Sequence, residues 1–183
     1  MKSTLTALLL ATSLTTASAA MAANPQVGGA DMFENRNIVE NAVNSADHTT
    51  LVAAVQAADL VETLQGPGPF TVFAPVNAAF EALPAGTVDT LLMPENKAML
   101  QKVLTAHVVA GNLTTAQIAA RARASSDGFY HMNAVSGDAL SAQVKGRNLY
   151  ILDESGNASR VTISDVMQSN GVIHVVNSVL VPK

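Results

Sequence analysis

Four histidines, fourteen acidic residues and no cysteine set the chemistry open to this 183-residue chain. A zinc site needs clustered His or Cys. His48, His107, His131 and His174 are far apart in sequence, so only the fold could bring two of them together. Asp153-x-Ser155-x-Asn157 begins like a calcium loop, but Ala158 stands where the turn glycine belongs and Ser164 where the closing glutamate belongs. It reads as a polar hairpin turn. There is no Gly-x-Ser-x-Gly elbow and no phosphate-binding Gly-Lys loop. Serines and acids accompany the histidines, yet no local context singles out a nucleophile. These residues assign no catalytic group, no metal ligand and no cofactor, and the chain is expected not to be an enzyme. Asn112-Leu113-Thr114 and Asn157-Ala158-Ser159 match the glycosylation acceptor pattern, which chance explains in a chain this rich in Asn, Ser and Thr.

The elements that would position these side chains are organised around Gly66 to Phe80. Pro67 and Pro69, beside glycines, make a tight turn. Phe70 to Ala74 is a short apolar run of β-formers, read as a buried strand that Pro75 ends. Asn77 is read as the N-cap of a helix from Ala78 to Leu83, closed by Pro84. Phe70, Phe73 and Phe80 are expected to share one core.

The first half of the chain reads as helical. Asn37 to Val43 is a short amphipathic stretch. Asp47 is read as the N-cap of a helix from His48 to Ala58, which leaves His48 in an exposed first turn. Leu60 to Leu64 adds a turn or two, ended by Gly66. Thr87 is read as capping Val88 to Met93, and Lys97 to Thr105 as a helix with Met99, Leu100, Val103 and Leu104 on its apolar face. Met93 and Met99 are read as core filler. His107 follows, flanked by valines, as a packed histidine bonding a neighbouring backbone group. Thr114-Thr115-Ala116-Gln117 offers a capping box for a helix to about Ala122.

From Gly128 the period turns to alternation. Leu140, Ala142 and Val144 point one way, Lys145 to Asn148 is a hairpin turn, Leu149 to Leu152 returns, and Val161 to Ile163 is a third strand. Asn170-Gly171 is read as a two-residue turn before Val172 to Val176, with Val179 to Val181 completing the run. His174 sits in that strand, with Ile173 and Val175 on the opposite face. Asp165 either stands exposed or caps a turn while Val166 and Met167 pack inward. Helices followed by antiparallel strands argue for an α+β fold.

At the start, Lys2, the apolar Leu5 to Leu14 and the small-residue triplets Ala17-Ser18-Ala19 and Ala20-Met21-Ala22 form a signal-peptide pattern over residues 1–22. The stretch is too short and too rich in Ser and Thr for a membrane span, and no second apolar run follows. Residues 23–36 read as an extended lead-in and 37–183 as one domain. Losing Lys2 takes the formal net charge from −4 to −5. Without clustered Lys and Arg the chain is not expected to bind nucleic acid. An exported domain without cysteine must be held by its core.

Thr71 to Phe80, with Thr71, Phe73, Pro75, Asn77 and Phe80, resembles the first signature box of the fasciclin-like (FAS1) domain. Asn170 to Pro182, with Asn170, Gly171 and His174, is similar to its second box. Ala106-His107-Val108-Val109 occupies the place of the family's Tyr-His pair, with Ala106 in place of tyrosine. The resemblance implies a wedge-like antiparallel β-sandwich with helices packed against it. It implies a non-enzymatic adhesion or surface-interaction module, bacterial, exported to the periplasm or cell surface. Its partner would be a cell-surface or matrix protein or a glycan. Asp165 and Met167 match a short partner-recognition motif of animal members, with Val166 a mild change in it, and His107 lies in a region linked to the same contact. Asp165, Val166, Met167 and His107 are the partner-binding candidates, and the signature residues are mainly structural. The alternative is a periplasmic protein that binds a small molecule, lipid or carbohydrate in an apolar cleft between helices and sheet.

Overall fold

A computed structural model describes residues 24–182. The signal-peptide pattern lies outside them. Two short strands, β1 (Gln26–Val27) and β2 (Ala30–Asp31), open the described chain. Seven short helices follow: α1 (Ile38–Ala42), α2 (Thr49–Ala57), α3 (Val61–Gln65), α4 (Asn77–Glu81), α5 (Thr87–Leu91), α6 (Lys97–Thr105) and α7 (Thr115–Ala124). The remaining strands are β3 (Phe70–Pro75), β4 (Val108–Ala110), β5 (Phe129–Asn133), β6 (Ala139–Lys145), β7 (Asn148–Leu152), β8 (Ala158–Gln168) and β9 (Gly171–Val176). The class is α+β.

Strands β3 to β9 form one sheet in the order β4-β3-β9-β8-β7-β6-β5. All of its pairs are antiparallel except β3 with β9, which run parallel from Phe70 opposite Gly171 to Pro75 opposite Val176. The sheet folds over on itself. Past the end of β5, Ala134 bridges to Val109 in β4, and the amide of Val135 donates to the Val108 carbonyl at 2.7 Å.

Alternation along β3 and β9 separates two cores. Phe73 and Val176 face Ile118, Leu140, Leu149 and Ile151 inside the folded sheet. Val72, Ala74, Ile173 and Val175 face the helices with Leu51, Val55, Leu64 and Leu104. Phe80 and Phe70 belong to the helical side, so the three phenylalanines do not share one core.

Several local expectations give way to tertiary contacts. The lead-in is not merely extended: β1 and β2 pair, and Val27 and Met32 are buried in the helix-side core. Asp47 lies inside a 3-10 turn, Ala46–His48, and α2 begins after it. Gly86, not Thr87, precedes α5. Met93 and Met99 are 44% and 59% exposed, so neither fills the core. Asn77 does not cap its own helix. Its Oδ1 accepts from the Thr50 amide at 3.0 Å and its Nδ2 donates to the Ala46 carbonyl at 2.9 Å, so it caps the first turn of α2 across the molecule. The β8–β9 turn is Ser169-Asn170, because Gln168 pairs with Gly171. Val179 to Val181 form no strand.

Asn170 ties four parts of the chain together. Its Oδ1 accepts from the Ile38 amide at 3.1 Å, and its Nδ2 donates to the carbonyls of Leu64 and Gly66 at 2.7 and 3.0 Å. Its own carbonyl accepts from the Phe70 amide at 3.0 Å. A Cβ on Gly171 would stand 2.0 Å from the Phe70 carbonyl oxygen, and one on Gly68 would stand 2.2 Å from the Asn170 carbonyl oxygen. Glycine is therefore required at both places. Asn170→Ala orphans buried amide and carbonyl groups and is expected to cost about 2–4 kcal/mol, measured by urea unfolding. A loss below about 1 kcal/mol contradicts the brace.

Candidate functional site

Three of the four histidines are buried, and two of them, His107 and His174, take their orientation from backbone groups. His107 follows α6. Its Nδ1 meets the Val103 carbonyl at 2.8 Å and its Nε2 accepts from the Leu180 amide at 2.8 Å. Those partners assign the proton to Nδ1. His174, on β9, has the opposite tautomer: Nε2 donates to the Leu113 carbonyl at 2.8 Å and Nδ1 accepts from the Asp165 amide at 3.2 Å. Its ring stacks on Phe73 at 5.7 Å between centroids. His48, expected in an exposed turn, is 3% exposed because the 3-10 turn before α2 rolls it inward. Its Nδ1 lies 2.9 Å from Ser45 Oγ, and its Nε2 has no hydrogen-bond partner.

Burial lowers the pKa of all three rings. His107 falls to about 4, with the Val103 carbonyl and Asp153 opposing the shift. His174 is lowered by burial against the Leu113 carbonyl and Asp165. His48 is lowered by burial against the Ala74 backbone and Asp47. Protonation of His107 or His174 would also turn an accepting nitrogen into a donor facing an amide N–H.

Asp165 lies beside His174. Ser164 and Asp165 together oppose His174 in a bulge of β8, which places Asp165 at φ +57, a conformation Asp tolerates better than most residues. Its Oδ1 accepts from the Thr115 amide at 2.7 Å, in the first turn of α7. Thr114 and Gln117 complete the expected capping box there. His174, Leu113, Thr115 and Asp165 thus close a clasp between β9, the bulge and α7. Thr71 supports it, donating to the Gly111 carbonyl at 2.6 Å and accepting from the Leu113 amide at 2.9 Å. Val166 is wholly buried, Met167 is half-buried and His107 is 2% exposed. Asp165 is brought together with His174, and His107 stands apart from both.

Two arrangements were not assigned to residues by sequence reasoning, although an apolar cleft between helices and sheet was an alternative reading. On the surface, His131 Nε2 lies 2.7 Å from Asp127 Oδ2 and its Nδ1 lies 2.9 Å from Ser141 Oγ. Asp127 is held below the usual carboxylate range by the Ser125 hydroxyl first and then by His131. The cluster is open to water on all members, so nothing there shields a reacting group. Its signal was the pairing of β5 with β6, which sets His131 opposite Ser141. The second arrangement is a cavity of about 100 Å³ between the helical layer and the sheet, with His48 in its wall. Among the described residues, no group of three or more His, Asp or Glu is placed to hold a metal ion.

The Fasciclin domain family model matches residues 46–182. The chain belongs to the fasciclin (FAS1) domain family. It is 50% identical over 145 residues to protein sll1483 of Synechocystis, covering 79% of this chain and 73% of that one. It is 39% identical over 132 residues to the transforming growth factor-beta-induced protein ig-h3 of Sus scrofa, covering 72% of this chain and 17% of that one. A solved FAS1 domain pair from the insect cell adhesion molecule fasciclin I matches it with a TM-score of 0.71 at 16% identity, over 79% of this chain and 50% of that chain. At that identity the likeness speaks for the fold alone. Thr71, Asn77, Asn170 and His174, read from the sequence as signature positions, are among the cross-braces described above, and Gly171 is the close approach beside Asn170.

Two predictions follow from the buried rings and the clasp. Unfolded histidines take up protons near pH 6.5, whereas the folded rings resist until lower pH. Their folded pKa values are depressed, so stability is complete above pH 6.5 and is lost as pH falls toward about 4. His107 alone accounts for about 3 kcal/mol of that loss, read from urea midpoints between pH 7 and pH 4. Asp165→Ala removes a helix cap and places alanine at positive φ, for a loss of about 1–2 kcal/mol, while Asp165→Asn keeps the acceptor and loses under half of that.

Proposed function

We propose that this FAS1 domain is an exported, non-enzymatic interaction module that attaches a cell surface to a protein or glycan partner. The observation that carries the reading is the clasp. His174 and Asp165 hold the bulge and the start of α7 in fixed register, and exposed Asn112, Ala116, Gln117 and Ser164 surround them. A surface ordered before contact loses little conformational entropy on binding. The solved structure of like fold comes from a cell adhesion molecule, which supports the same reading.

Within it, Asp165 acts as a half-buried positioning residue whose remaining oxygen can face a partner. Val166 and Met167 follow it along β8, while His107 stands apart and braces the end of α6 to Leu180. The signal-peptide pattern of residues 1–22 supports export. Among the described residues no helix is long and apolar enough to cross a membrane, so attachment runs through partner contact or through segments outside them.

The test is surface attachment of a deletion strain complemented with wild type, Ser164→Arg or Asp165→Ala, with folding of each protein checked by circular dichroism. Attachment is expected to fall on deletion, to return with wild type, and to return by less than half with folded Ser164→Arg. Attachment unchanged by deletion overturns the adhesion reading. Full rescue by both variants moves the contact away from the clasp.

A further inference from the structure

The cavity under the helices lies on the opposite side of β9 from the clasp. Its wall takes Val72 and Ala74 from β3, Ile173 from β9, Leu51 and Val55 from α2 and Leu64 from α3. These side chains offer no hydrogen-bonding atom. Exposed Gln56, Thr63 and Val135 mark where the lining reaches solvent. The helices on this face, α1 to α6, have nine residues or fewer and cannot cover a sheet as closely as one long helix, and the gap lies where α1, α2 and α3 meet it.

One polar atom in this wall has nothing to bond. His48 is 3% exposed, its Nδ1 is occupied by Ser45 Oγ, and its Nε2 has no partner. The Ala74 backbone is close enough to favour the charged ring, but no hydrogen bond to Nε2 results. A buried polar group normally finds a partner, and one left without is costly. Water answers poorly here, since a buried water needs two to four polar neighbours. The other polar groups of the wall are bonded or, like Gln56 and Thr63, exposed to solvent. Both ring nitrogens of His107 are bonded, and Thr105 Oγ1 donates to the carbonyls of Gln101 and Lys102.

We propose that this cavity is a binding site for a neutral amphiphile whose compact hydrocarbon part fills it and whose single hydroxyl bonds His48 Nε2. A cavity of 150 Å³ holds a benzene ring, so about 100 Å³ takes a hydrocarbon part of about four carbons. A hydroxyl suits the site because it both donates and accepts, and so satisfies Nε2 in either tautomer of His48. A carboxylate does not fit. No Lys or Arg lines the cavity, and an unpaired charge in an apolar wall is expelled. The site is independent of the clasp and of the adhesion reading.

The test uses the full chain with three probes of five heavy atoms each: cyclobutanol, methylcyclobutane and propanoate. Binding is followed by amide chemical-shift titration and by the rise in Tm. Cyclobutanol is expected to bind at least tenfold more tightly than methylcyclobutane, with the carboxylate not binding, and to shift the amides of Ser45, His48 and Ala74. Val55→Phe, which fills the cavity, is expected to abolish binding of both neutral probes. His48→Phe is expected to bring alcohol and hydrocarbon within threefold of each other. Should His48→Phe fail to fold, the imidazole ¹⁵N shifts of wild-type His48 give the same answer, moving with the alcohol and not with the hydrocarbon. Equal affinity for alcohol and hydrocarbon in the wild type, equal binding of the carboxylate, or no binding at saturation each overturns the proposal.

Discussion

The parallel contact between β3 and β9 is the constraint on which the rest of this structure depends. The two strands are about a hundred residues apart in the chain, and joining them closes a loop that holds most of the helices and five of the strands. Such closure costs entropy before it returns any contact. The return comes from approach closer than side chains allow. Gly171 sits against the Phe70 carbonyl, and Gly68 sits against the carbonyl of Asn170. Once that register is set, every other element has a fixed address. β4 is laid along β3, β8 along β9, and the helices on the face that Val72, Ala74, Ile173 and Val175 share.

A chain without cysteine holds that register by buried and half-buried polar side chains that reach backbone groups far away in sequence. Thr71 holds the loop after β4, Asn77 caps α2, Asn170 ties α1 and α3 to the β8–β9 turn, and His174 ties the bulge to α7. Each bond adds little net stability, but each orphaned partner is expensive. Wrong registers are therefore penalised more than the right one is rewarded. That asymmetry makes the braces a device of specificity as much as of stability.

It also explains what could be read from the sequence. The strand from Phe70 to Ala74, which runs on through Pro75 opposite Val176, the helix Lys97–Thr105 and the capping box at Thr114 were legible because propensity and tertiary contact agree there. Asn77 was legible as a capping residue and misassigned as to which helix, since nothing local says that Thr50 lies across from it. β8 was seen only as Val161 to Ile163 because the Ser164-Asp165 bulge breaks its alternation. Met99 follows the helical period yet faces solvent, because α6 uses only the Leu100, Val103 and Leu104 stripe. His48 could not have been placed at all. Its burial follows from the 3-10 turn and from Ser45, neither of which carries a pattern.

The two proposed sites use opposite faces of one strand. Ile173 turns toward the cavity and His174 toward the clasp, one residue apart on β9. Coupling between them would need β9 to move, because the side chains themselves point apart. β9 is hydrogen-bonded on both edges, to β3 and to β8, and all six of its residues are buried. A ligand under the helices therefore adds its binding free energy to the stability of the folded domain without reshaping the surface on the far side. On the two proposed readings the sheet stands between the faces, and the rigidity of β9 would keep the clasp indifferent to what fills the cavity.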